Sequence, residues 1–443
     1  MTTPYTKLVS SQRAFYRNGG LATIAERKKV IELFKTLLID NKSAIDDAIF
    51  ADLGRKPSVF SEVDYLLNEV AEVLEHIDEW AQPRKMPVLP NVLELSPETD
   101  SLHIVPEPFG VVLIIGPWNG PLLCLGSLVH AIAAGNTAIT KPSELSANFS
   151  ALFAKIVKKT FDEKILAVVE GGVAETTELL KERFDHIMYT GCPPVAKIIM
   201  TAAAKFLTPV TLELGGKNPL YVDSSANLTH LVKSVMKVKL FNAGQVCVST
   251  DYILTTADMK PAVIAALSAA FDGLGDMSQL DMYARIINER HFHRLMSLLQ
   301  KTKGKVVYKA KGEVSAKDRF IPMHLVECEL DDEFMKEEIF GPLLPIITVK
   351  DFDTALEYIK THEKPLAAYI VTENGEQARR FIRETSAGGV SVNDTMSHSM
   401  AAGMPFGGVG NSGMGRIGGK YGFDTFTHEK PVCLKGITAE LRI

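Results

Sequence analysis

The residues VVLIIGPWNGP at positions 111–121 set a pattern that recurs along the chain. Five consecutive apolar residues predict a short buried strand, and the Gly and Pro residues behind it predict a turn into a helix over about 121–134. The alternation continues with predicted strands at 138–141, 165–169 and 186–189, and with predicted helices at 147–161, near Thr176 and at 194–205. Repeated strand-helix units predict an α/β fold built on a parallel, doubly wound sheet.

The rest of the chain predicts a second unit and an extended connection. Apolar residues at helical spacing predict one helix over 25–51 and another over 61–80, both suited to covering a sheet. A second alternating set from about 211 to 391 predicts a second α/β domain. The segment 83–106 is proline-rich at its start and then extended.

Composition argues against several classes of function. With 443 residues, of which 46% are hydrophobic, the chain is expected to be a soluble globular protein of two or three domains. Its 48 basic and 53 acidic residues give a net charge of −5 without a basic block, so nucleic acid is not an expected partner. The closest histidines, His291 and His293, do not share a helix face, so we expect no metal site.

Cysteine usage predicts a cytoplasmic protein. The five cysteines are an odd number, lie far apart and include no Cys-x-x-Cys pair, which is typical of a reducing compartment. The first twenty residues lack the apolar core of a secretory signal and the Arg-rich run of a mitochondrial presequence. Neither residues 434–443 nor any other segment reaches the roughly 18 apolar residues that would cross a bilayer.

The segment FNAGQVCVS at 241–249 contains the strongest candidate for a nucleophile, Cys247. A thiol attacks a carbonyl group as its thiolate, and an unassisted cysteine with a pKa of about 8.5 is only a few per cent ionised at pH 7. Ala243 and Gly244 would let a substrate approach closely, and the carboxylate of Glu213 could activate the thiol or a water molecule. The alternative is an inert buried cysteine that packs as a small hydrophobe.

Six motifs, taken in their order along the chain, resemble the aldehyde dehydrogenase superfamily. They are PWN at 117–119, KPSE at 141–144, ELGGKNP starting at Glu213, the cysteine segment, EEIFGP at 337–342 and MPFGGVG at 404–410. The compact length, together with NSGMG at 411–415 and KYGFD at 420–424, resembles the class 3 branch, which includes fatty aldehyde dehydrogenases. The resemblance covers nearly the whole chain.

The resemblance implies a division of the chain into three parts. Residues 1–82 and 107–212 would form a Rossmann-like NAD-binding domain, and residues 213–395 the α/β catalytic domain. Residues 83–106 and 396–443 would supply the small β oligomerisation arm and the C-terminal segment of a homodimer. The implied reaction is the oxidation of a small-molecule aldehyde to a carboxylic acid, with NAD or possibly NADP as cofactor.

The resemblance also assigns the catalytic roles. Cys247 would attack the carbonyl carbon to give a thiohemiacetal, which becomes a thioester once hydride has been transferred. Asn119 would stabilise the oxyanion together with the Cys247 N–H group, and Glu213 would activate the water that hydrolyses the thioester. The alternatives are a helix-capping role for Asn119 and a salt bridge for Glu213.

The implied cofactor contacts lie at the ends of predicted elements. Lys141 and Glu144 would contact the adenosine ribose, and the carboxylate of Glu144 would disfavour a 2′-phosphate. Glu338, with Phe340 beside it, would contact the nicotinamide ribose. From local sequence alone, these charged residues could equally be solvated surface groups.

Two glycine-containing patterns are candidates for the pyrophosphate site. Gly408, Gly410 and Gly413 match G-x-G-x-x-G but lack a preceding apolar strand and a following helix, so we reject them. Thr190 and Gly191 lie directly between a strand and a helix that starts with proline, where free N–H groups could face a phosphate. The alternative for these two residues is an ordinary strand-helix turn.

Gly120 and Phe406 are the positions expected to shape the substrate pocket. Many relatives carry tyrosine where this chain has Gly120, so a wider pocket mouth is expected. The resemblance to the class 3 branch implies medium-chain, long-chain or aromatic aldehydes as substrates. Two other functions stay open: an enzyme that transfers the acyl group to coenzyme A, and a catalytically silent binding protein on the same scaffold. Enzymes that acylate coenzyme A generally lack glutamate at the Glu213 position, and the joint presence of Glu213, Cys247 and Asn119 argues against a silent protein.

Overall fold

The computed structural model describes residues 3–58, 60–89 and 95–437. Its helices are α1 (Thr6–Arg17), α2 (Ile24–Asp40), α3 (Lys42–Leu53), α4 (Glu62–Trp80), α5 (Ser127–Ala133), α6 (Ala147–Thr160), α7 (Val173–Leu179), α8 (Pro193–Ala204), α9 (Leu228–Leu240), α10 (Lys260–Asp272), α11 (Glu289–Lys301), α12 (Phe352–Thr361), α13 (Gly375–Glu384), α14 (Ser397–Met400) and α15 (Gly419–Thr425). Short 3₁₀ turns lie at Leu123–Leu125, Asn242–Gly244, Met277–Gln279 and Glu333–Met335.

The strands fall into three sheets. They are β1 (Arg84–Met86), β2 (Ser101–Pro108), β3 (Val111–Ile115), β4 (Thr137–Lys141), β5 (Leu166–Val168), β6 (His186–Gly191), β7 (Val210–Leu214), β8 (Pro219–Val222), β9 (Tyr252–Thr256), β10 (Lys305–Lys309), β11 (His324–Glu327), β12 (Leu343–Val349), β13 (Ala367–Val371), β14 (Gly389–Val392), β15 (Gly413–Met414) and β16 (Thr427–Leu434). Residues 90–94 of the predicted arm and residues 438–443 of the predicted C-terminal segment lie outside the described residues.

The first sheet has the strand order β15-β7-β6-β3-β4-β5. Strands β3 to β7 are parallel, and β15 is antiparallel on the β7 edge. The chain runs from β3 outward through β4 to β5, and then continues on the other side of β3 through β6 to β7. The order therefore reverses between β3 and β6, where open α/β sheets bind ligands at the carboxyl ends of their strands. The doubly wound α/β fold predicted from the sequence is confirmed.

Strand β3 is apolar throughout because helices cover both faces of the sheet. Val112 and Ile114 pack in a core with residues of α2 to α6. Val111, Leu113 and Ile115 point the other way and pack in a separate core with residues of α1 and α8. All five side chains are buried, which fixes the strand and hence the turn that follows it.

The second sheet has the strand order β10-β11-β12-β9-β8-β13-β14. Its strands are parallel except β10, which is antiparallel to β11. The loop with Cys247 joins α9 to β9 and so lies at the amino end of β9, while Asn218 immediately precedes β8. The thiol is therefore held by the second α/β unit.

The third sheet is an antiparallel arm of β1, β2 and β16. Its two long strands, β2 and β16, pair from Pro108 with Thr427 to Ser101 with Leu434.

Within the described ranges, no helix is both long and apolar enough to cross a bilayer. In the same part of the chain, no group of three His, Cys, Asp or Glu side chains could hold a metal ion.

The structure corrects two predicted helices. The helix predicted over 25–51 is two helices, because Asn41 leaves the helical conformation and its side chain donates to the Leu37 carbonyl at 2.8 Å. The helix predicted over 121–134 forms only from Ser127, after a 3₁₀ turn. In both places a local change of hydrogen bonding interrupts a periodic apolar pattern.

The predicted domain boundary between residues 212 and 213 is also corrected, because it falls inside β7. Glu213 pairs with Thr190 of β6 on one side and with Gly413 of β15 on the other. Part of the C-terminal segment thus joins the first sheet, and part of it, β16, joins the arm. Glu213 and Gly413 are about two hundred residues apart, so no local sequence pattern predicts that they pair.

Candidate active site

The loop that carries Cys247 is held in a tight conformation. Asn242, Ala243 and Gly244 have φ angles of 54°, 53° and 73°, a region that residues other than glycine rarely occupy. A Cβ atom on Gly244 would lie 2.5 Å from the carbonyl oxygen of Gly341, so a side chain does not fit there. Such strain persists only where the surrounding structure fixes it, and it is common at functional sites.

Hydrogen bonds fix the backbone around the thiol. The side chain of Asn218 donates to the carbonyl groups of Cys247 and Ser249 at 2.7 and 2.9 Å. The Tyr369 hydroxyl donates to the carbonyl group of Val248 at 2.6 Å. Neither Asn218 nor Tyr369 was predicted to be functional, although Asn218 belongs to the ELGGKNP motif.

Asn119 contacts the nucleophile loop directly. Its side-chain nitrogen donates to the carbonyl group of Gln245 at 3.0 Å, and the side chain of Asn242 donates to the Asn119 carbonyl. The N-cap position of the following 3₁₀ turn belongs to Leu122, so the helix-cap alternative for Asn119 is wrong. The Asn119 amide therefore contacts the nucleophile loop at Gln245, which precedes Cys247 by two positions in the sequence.

Glu213 is a buried carboxylate, with 2% of its surface exposed. Among the described residues, neither of its oxygens has a hydrogen-bond partner, so the salt-bridge alternative is wrong. Burial raises the pKa of Glu213 well above its ordinary value. A Cβ atom on Gly407 would lie 3.1 Å from its Oε1 atom, so the MPFGGVG motif passes directly beside this carboxylate. Such a group is suited to taking up a proton.

The thiol shares this low-polarity environment. Burial and the nearby carboxylates of Glu338 and Glu213 raise the pKa of Cys247 to about 12. Burial, with Asp251 nearby, likewise raises the pKa of Glu338 to about 8. At neutral pH the thiol is therefore protonated, and a base must accept its proton before it can attack a carbonyl group.

Glu338 packs against the glycines of the ELGGKNP motif. A Cβ atom on Gly215 would collide with its carboxylate, so the absence of a side chain there makes room for it. Arg294 donates to the carbonyl group of Glu338 at 3.4 Å. Phe340 has a φ of 49° and meets Trp118 edge to face, with 5.4 Å between the ring centroids.

Lys141 is the last residue of β4, and Glu144 lies three residues beyond it. The Lys141 Nζ atom donates to the carbonyl group of Pro142 at 3.0 Å and lies 3.5 Å from Oε2 of Glu144. Lys141 is buried, and burial lowers its pKa, whereas 46% of the Glu144 side chain is exposed. The lysine is thus fixed in place, while the glutamate can meet a ligand that arrives from solvent.

Thr190 and Gly191 end β6, and α8 begins at Pro193. Because prolines occupy the first two helical positions, those positions have no N–H group. The Cys192 N–H group already donates to the hydroxyl of Tyr189 at 3.0 Å. The prediction of free N–H groups here is therefore only partly right, since the helix offers fewer phosphate donors than expected.

Gly120 borders Cys124, and Phe406 borders the core of the second α/β unit. A Cβ atom on Gly120 would meet Cβ of Leu123 at 3.5 Å and Sγ of Cys124 at 3.7 Å, which are ordinary contacts, so this position has space for a side chain. Phe406 is half-buried and packs on the same core as Cys247. Cys124, which was not predicted, is a second thiol beside the site, and burial raises its pKa well above the ordinary value.

Comparisons with known proteins agree with this arrangement. A family model described as aldehyde dehydrogenase family matches residues 6–432. The chain is 43% identical over 435 residues to aldehyde dehydrogenase family 3 member A2 of Mus musculus, covering 97% of this chain and 88% of the relative. It is 40% identical over 431 residues to the dimeric NADP-preferring aldehyde dehydrogenase of Canis lupus familiaris, covering 96% and 93%. A solved structure of Staphylococcus aureus AldH in a substrate-bound state matches with a TM-score of 0.94 at 36% identity, covering 100% and 96%.

The chain belongs to the aldehyde dehydrogenase family. It is an oxidoreductase that oxidises aldehydes to carboxylic acids with NAD or NADP. The resemblance to the class 3 branch, predicted from the motifs, is confirmed by these relatives.

The cofactor fits the residues at the reversal point of the first sheet. Lys141 and Glu144 offer polar groups for a ribose, and the carboxylate of Glu338 lies against Gly215. Thr190 lies at the carboxyl end of β6, on the other side of β3 from the first pair. Bound there, NAD or NADP supplies the hydride acceptor.

Proposed function

We propose that Cys247, Glu213 and Asn119 carry the oxidation of the aldehyde. In its ionised form, Glu213 takes the proton of the Cys247 thiol, and the thiolate adds to the carbonyl carbon. The Asn119 amide and the Cys247 N–H group donate hydrogen bonds to the oxyanion. The thiohemiacetal carbon then loses hydride to bound NAD or NADP, which leaves a thioester on Cys247. Once Glu213 has released its first proton to solvent, it takes a proton from the water that attacks the thioester; the Cys247 thiolate is expelled and the carboxylic acid departs.

One observation carries this assignment. Glu213 is buried, has no hydrogen-bond partner among the described residues and lies close enough to Cys247 to raise the pKa of its thiol. The test is NADH formation from nonanal or benzaldehyde by the wild type and by Cys247→Ala. The variant should lose activity while NAD binding survives, because the proposed nucleotide contacts lie mainly on the first sheet. Residual turnover above a few per cent would reject Cys247 as the nucleophile.

We propose hydrolysis rather than transfer to coenzyme A as the second half-reaction. A carboxylate beside the thioester can activate water, and Glu213 lies close enough to Cys247 to raise the pKa of its thiol. Supplying coenzyme A should therefore leave the rate of NADH formation and the free acid product unchanged. Formation of acyl coenzyme A in place of the acid would favour the alternative.

We propose that medium-chain, long-chain or aromatic aldehydes are the substrates. The space at Gly120 and the ring of Phe406, which packs on the same core as Cys247, would supply room and apolar contact for such a substrate. Each methylene buried in the pocket contributes about 0.8 kcal/mol or less, so kcat/KM should rise from acetaldehyde to nonanal. A preference for acetaldehyde would contradict this proposal.

We propose that Glu144 sets the preference between NAD and NADP. Its half-exposed carboxylate would repel a 2′-phosphate, although one relative is named NADP-preferring. Two unit charges about 4 Å apart in water interact by about 1 kcal/mol, so Glu144→Gln should improve kcat/KM for NADP by roughly fivefold. The value for NAD should change less. An equal change for both cofactors would reject the role of Glu144.

We propose a homodimer in the cytoplasm, without nucleic acid as a partner. Helix α8 and the residues after it expose an apolar surface that includes Ile198 and Leu207, at 62% and 91% exposure. A second copy would cover this surface, together with the arm of β1, β2 and β16.

The proposed cytoplasmic location rests on the five cysteines, none of which forms a disulfide. Cell fractionation would test it.

A further inference from the structure

Arg55 and Glu62 form a buried ion pair behind the active site. Arg55 follows α3, and Glu62 is the first residue of α4. Their side chains are 2% and 1% exposed, and Nη2 of Arg55 donates to Oε1 of Glu62 at 2.7 Å. Removing two charges from water offsets much of their attraction, so such a pair is weak evidence for a role in stability. Its other contacts indicate a different role.

The second carboxylate oxygen of Glu62 fixes the turn that carries Asn119. Oε2 accepts hydrogen bonds from the N–H groups of Leu122 and Leu123 at 2.9 and 3.0 Å. These are the N–H groups at the start of the 3₁₀ turn, which would otherwise be unpaired. The backbone only three residues after Asn119 is thereby tied to Glu62.

The guanidinium group of Arg55 contacts the other side of the site. Its central carbon lies 4.8 Å from the ring centroid of Phe241 and 5.3 Å from that of Phe60. The two rings meet edge to face at 5.1 Å. Phe241 is the C-cap residue of α9 and immediately precedes Asn242, the first residue with positive φ in the nucleophile loop. Arg55 is buried and both rings are half-buried, and cation–π contacts gain strength as the groups are withdrawn from water.

We propose that Arg55 and Glu62 are positioning residues that hold the Asn119 turn and the Cys247 loop at the correct distance for the oxyanion. The proposal rests on the proposed catalytic roles of Asn119 and Cys247. Glu62 binds the first of these segments, Arg55 packs on the second, and their ion pair joins the two. Without it, the two segments would keep their direct hydrogen bonds, from the Asn119 amide to the Gln245 carbonyl and from the Asn242 amide to the Asn119 carbonyl.

A double-mutant cycle tests this proposal, with Arg55→Met and Asn119→Ala made singly and together. Rates are expressed per thiol, titrated by alkylation of Cys247. Arg55→Met should lower kcat by roughly 10- to 100-fold, because a misplacement of about 1 Å can cost that much. The aldehyde KM and the NAD dissociation constant should change by less than about threefold. In the Asn119→Ala background, the same substitution should lower kcat by less than about threefold, since its effect passes through Asn119.

A matched control removes an arginine from an ion pair outside the site. Arg13 pairs with Asp185 at 2.7 Å, and Arg13→Met should lower the melting temperature without changing kcat per thiol. If Arg55→Met does not fold, Arg55→Lys goes through the same cycle, because lysine keeps the charge but loses the planar stacking.

Three outcomes bear on the proposal in different ways. Equal losses from Arg55→Met in both backgrounds would overturn it, because the effect would not pass through Asn119. A lower melting temperature with unchanged kcat per thiol would also overturn it and leave only a structural role. An unchanged kcat in the single variant Asn119→Ala would instead reject the catalytic role on which the proposal rests.

Discussion

The side-chain amide of Asn119 donates a hydrogen bond to the carbonyl group of Gln245, 3.0 Å away. Asn119 follows a strand of the first sheet, whereas Gln245 lies in the loop that the second sheet holds. This hydrogen bond therefore joins the two α/β units, and its acceptor lies two positions before Cys247 in the sequence. A shift of one unit relative to the other would move the amide and the nucleophile apart.

Asn119→Ala should lower kcat by roughly 10²- to 10³-fold, the usual cost of deleting one oxyanion donor. Steady-state NADH formation measures the effect. Asn41→Ala is the matched control, because it also removes an amide-to-carbonyl hydrogen bond, far from the site. It should lower the melting temperature and leave kcat unchanged. If both variants behave alike, Asn119 is only a structural residue.

Glu213→Gln should stop the reaction at the acyl-enzyme stage. The amide keeps the shape of the carboxylate but cannot accept a proton, and losing a general base typically costs about 10²- to 10⁴-fold. Intact-protein mass spectrometry after incubation with nonanal and NAD should detect the acyl group on Cys247. The double variant with Cys247→Ala should show no adduct. Near-normal turnover without an adduct would exclude Glu213 as the base.

The same substitution should change how stability depends on pH. Because burial raises the pKa of Glu213 above the unfolded value of about 4.3, the folded protein keeps a proton that the unfolded chain has lost. Stability therefore falls as pH rises from the unfolded pKa through the folded pKa. The advantage of Glu213→Gln over the wild type should grow across this window by up to about 1.4 kcal/mol per pH unit. Chemical denaturation between pH 5.5 and 8.5 measures it, and a constant difference would contradict it.

Ile198→Glu should convert the proposed dimer into monomers. The side chain is 62% exposed on α8, and burying an unpaired carboxylate in an interface is unfavourable. Light scattering after size-exclusion chromatography reports the mass. Ile382→Glu is the control, since Ile382 is 54% exposed on α13 and outside the proposed interface. A dimer that persists in Ile198→Glu would place the interface elsewhere.

The sequence predicted secondary structure correctly where one physical requirement, such as burial, applies to many consecutive residues. Strand β3 could be predicted because helices cover both of its faces, so all five residues had to be apolar. The helix break at Asn41 could not be predicted, because a single side-chain hydrogen bond interrupts a helical apolar pattern that continues on both sides of it. The edge strand β15 is only two residues long and pairs with a distant strand, so it leaves no periodic signal.

Within the site, the motifs pointed to Cys247, Glu213 and Asn119 as separate segments. Their spatial relationship depends on contacts between residues far apart in the sequence, such as the bond from Asn119 to Gln245. The role of Tyr369 could not be predicted, because a tyrosine inside an apolar strand is expected to be a core residue. Only the structure shows that its hydroxyl donates to a backbone carbonyl of the nucleophile loop. Asn218 could have been found, since an amide in a glycine-rich motif before a strand is a polar group that must be paired.

The pairing of Glu213 with Gly413, and the passage of Gly407 beside its carboxylate, set an order of events during synthesis. A nascent chain that has emerged from the ribosome as far as residue 400 already contains the thiol, the amide and the carboxylate. It lacks the segment that packs beside Glu213, so we expect the carboxylate in that chain to be more exposed to water and more readily ionised. We therefore expect the proposed base to reach its raised pKa once the segment from Gly407 to Gly413 has been made and has docked, which places the completion of the active site late in translation.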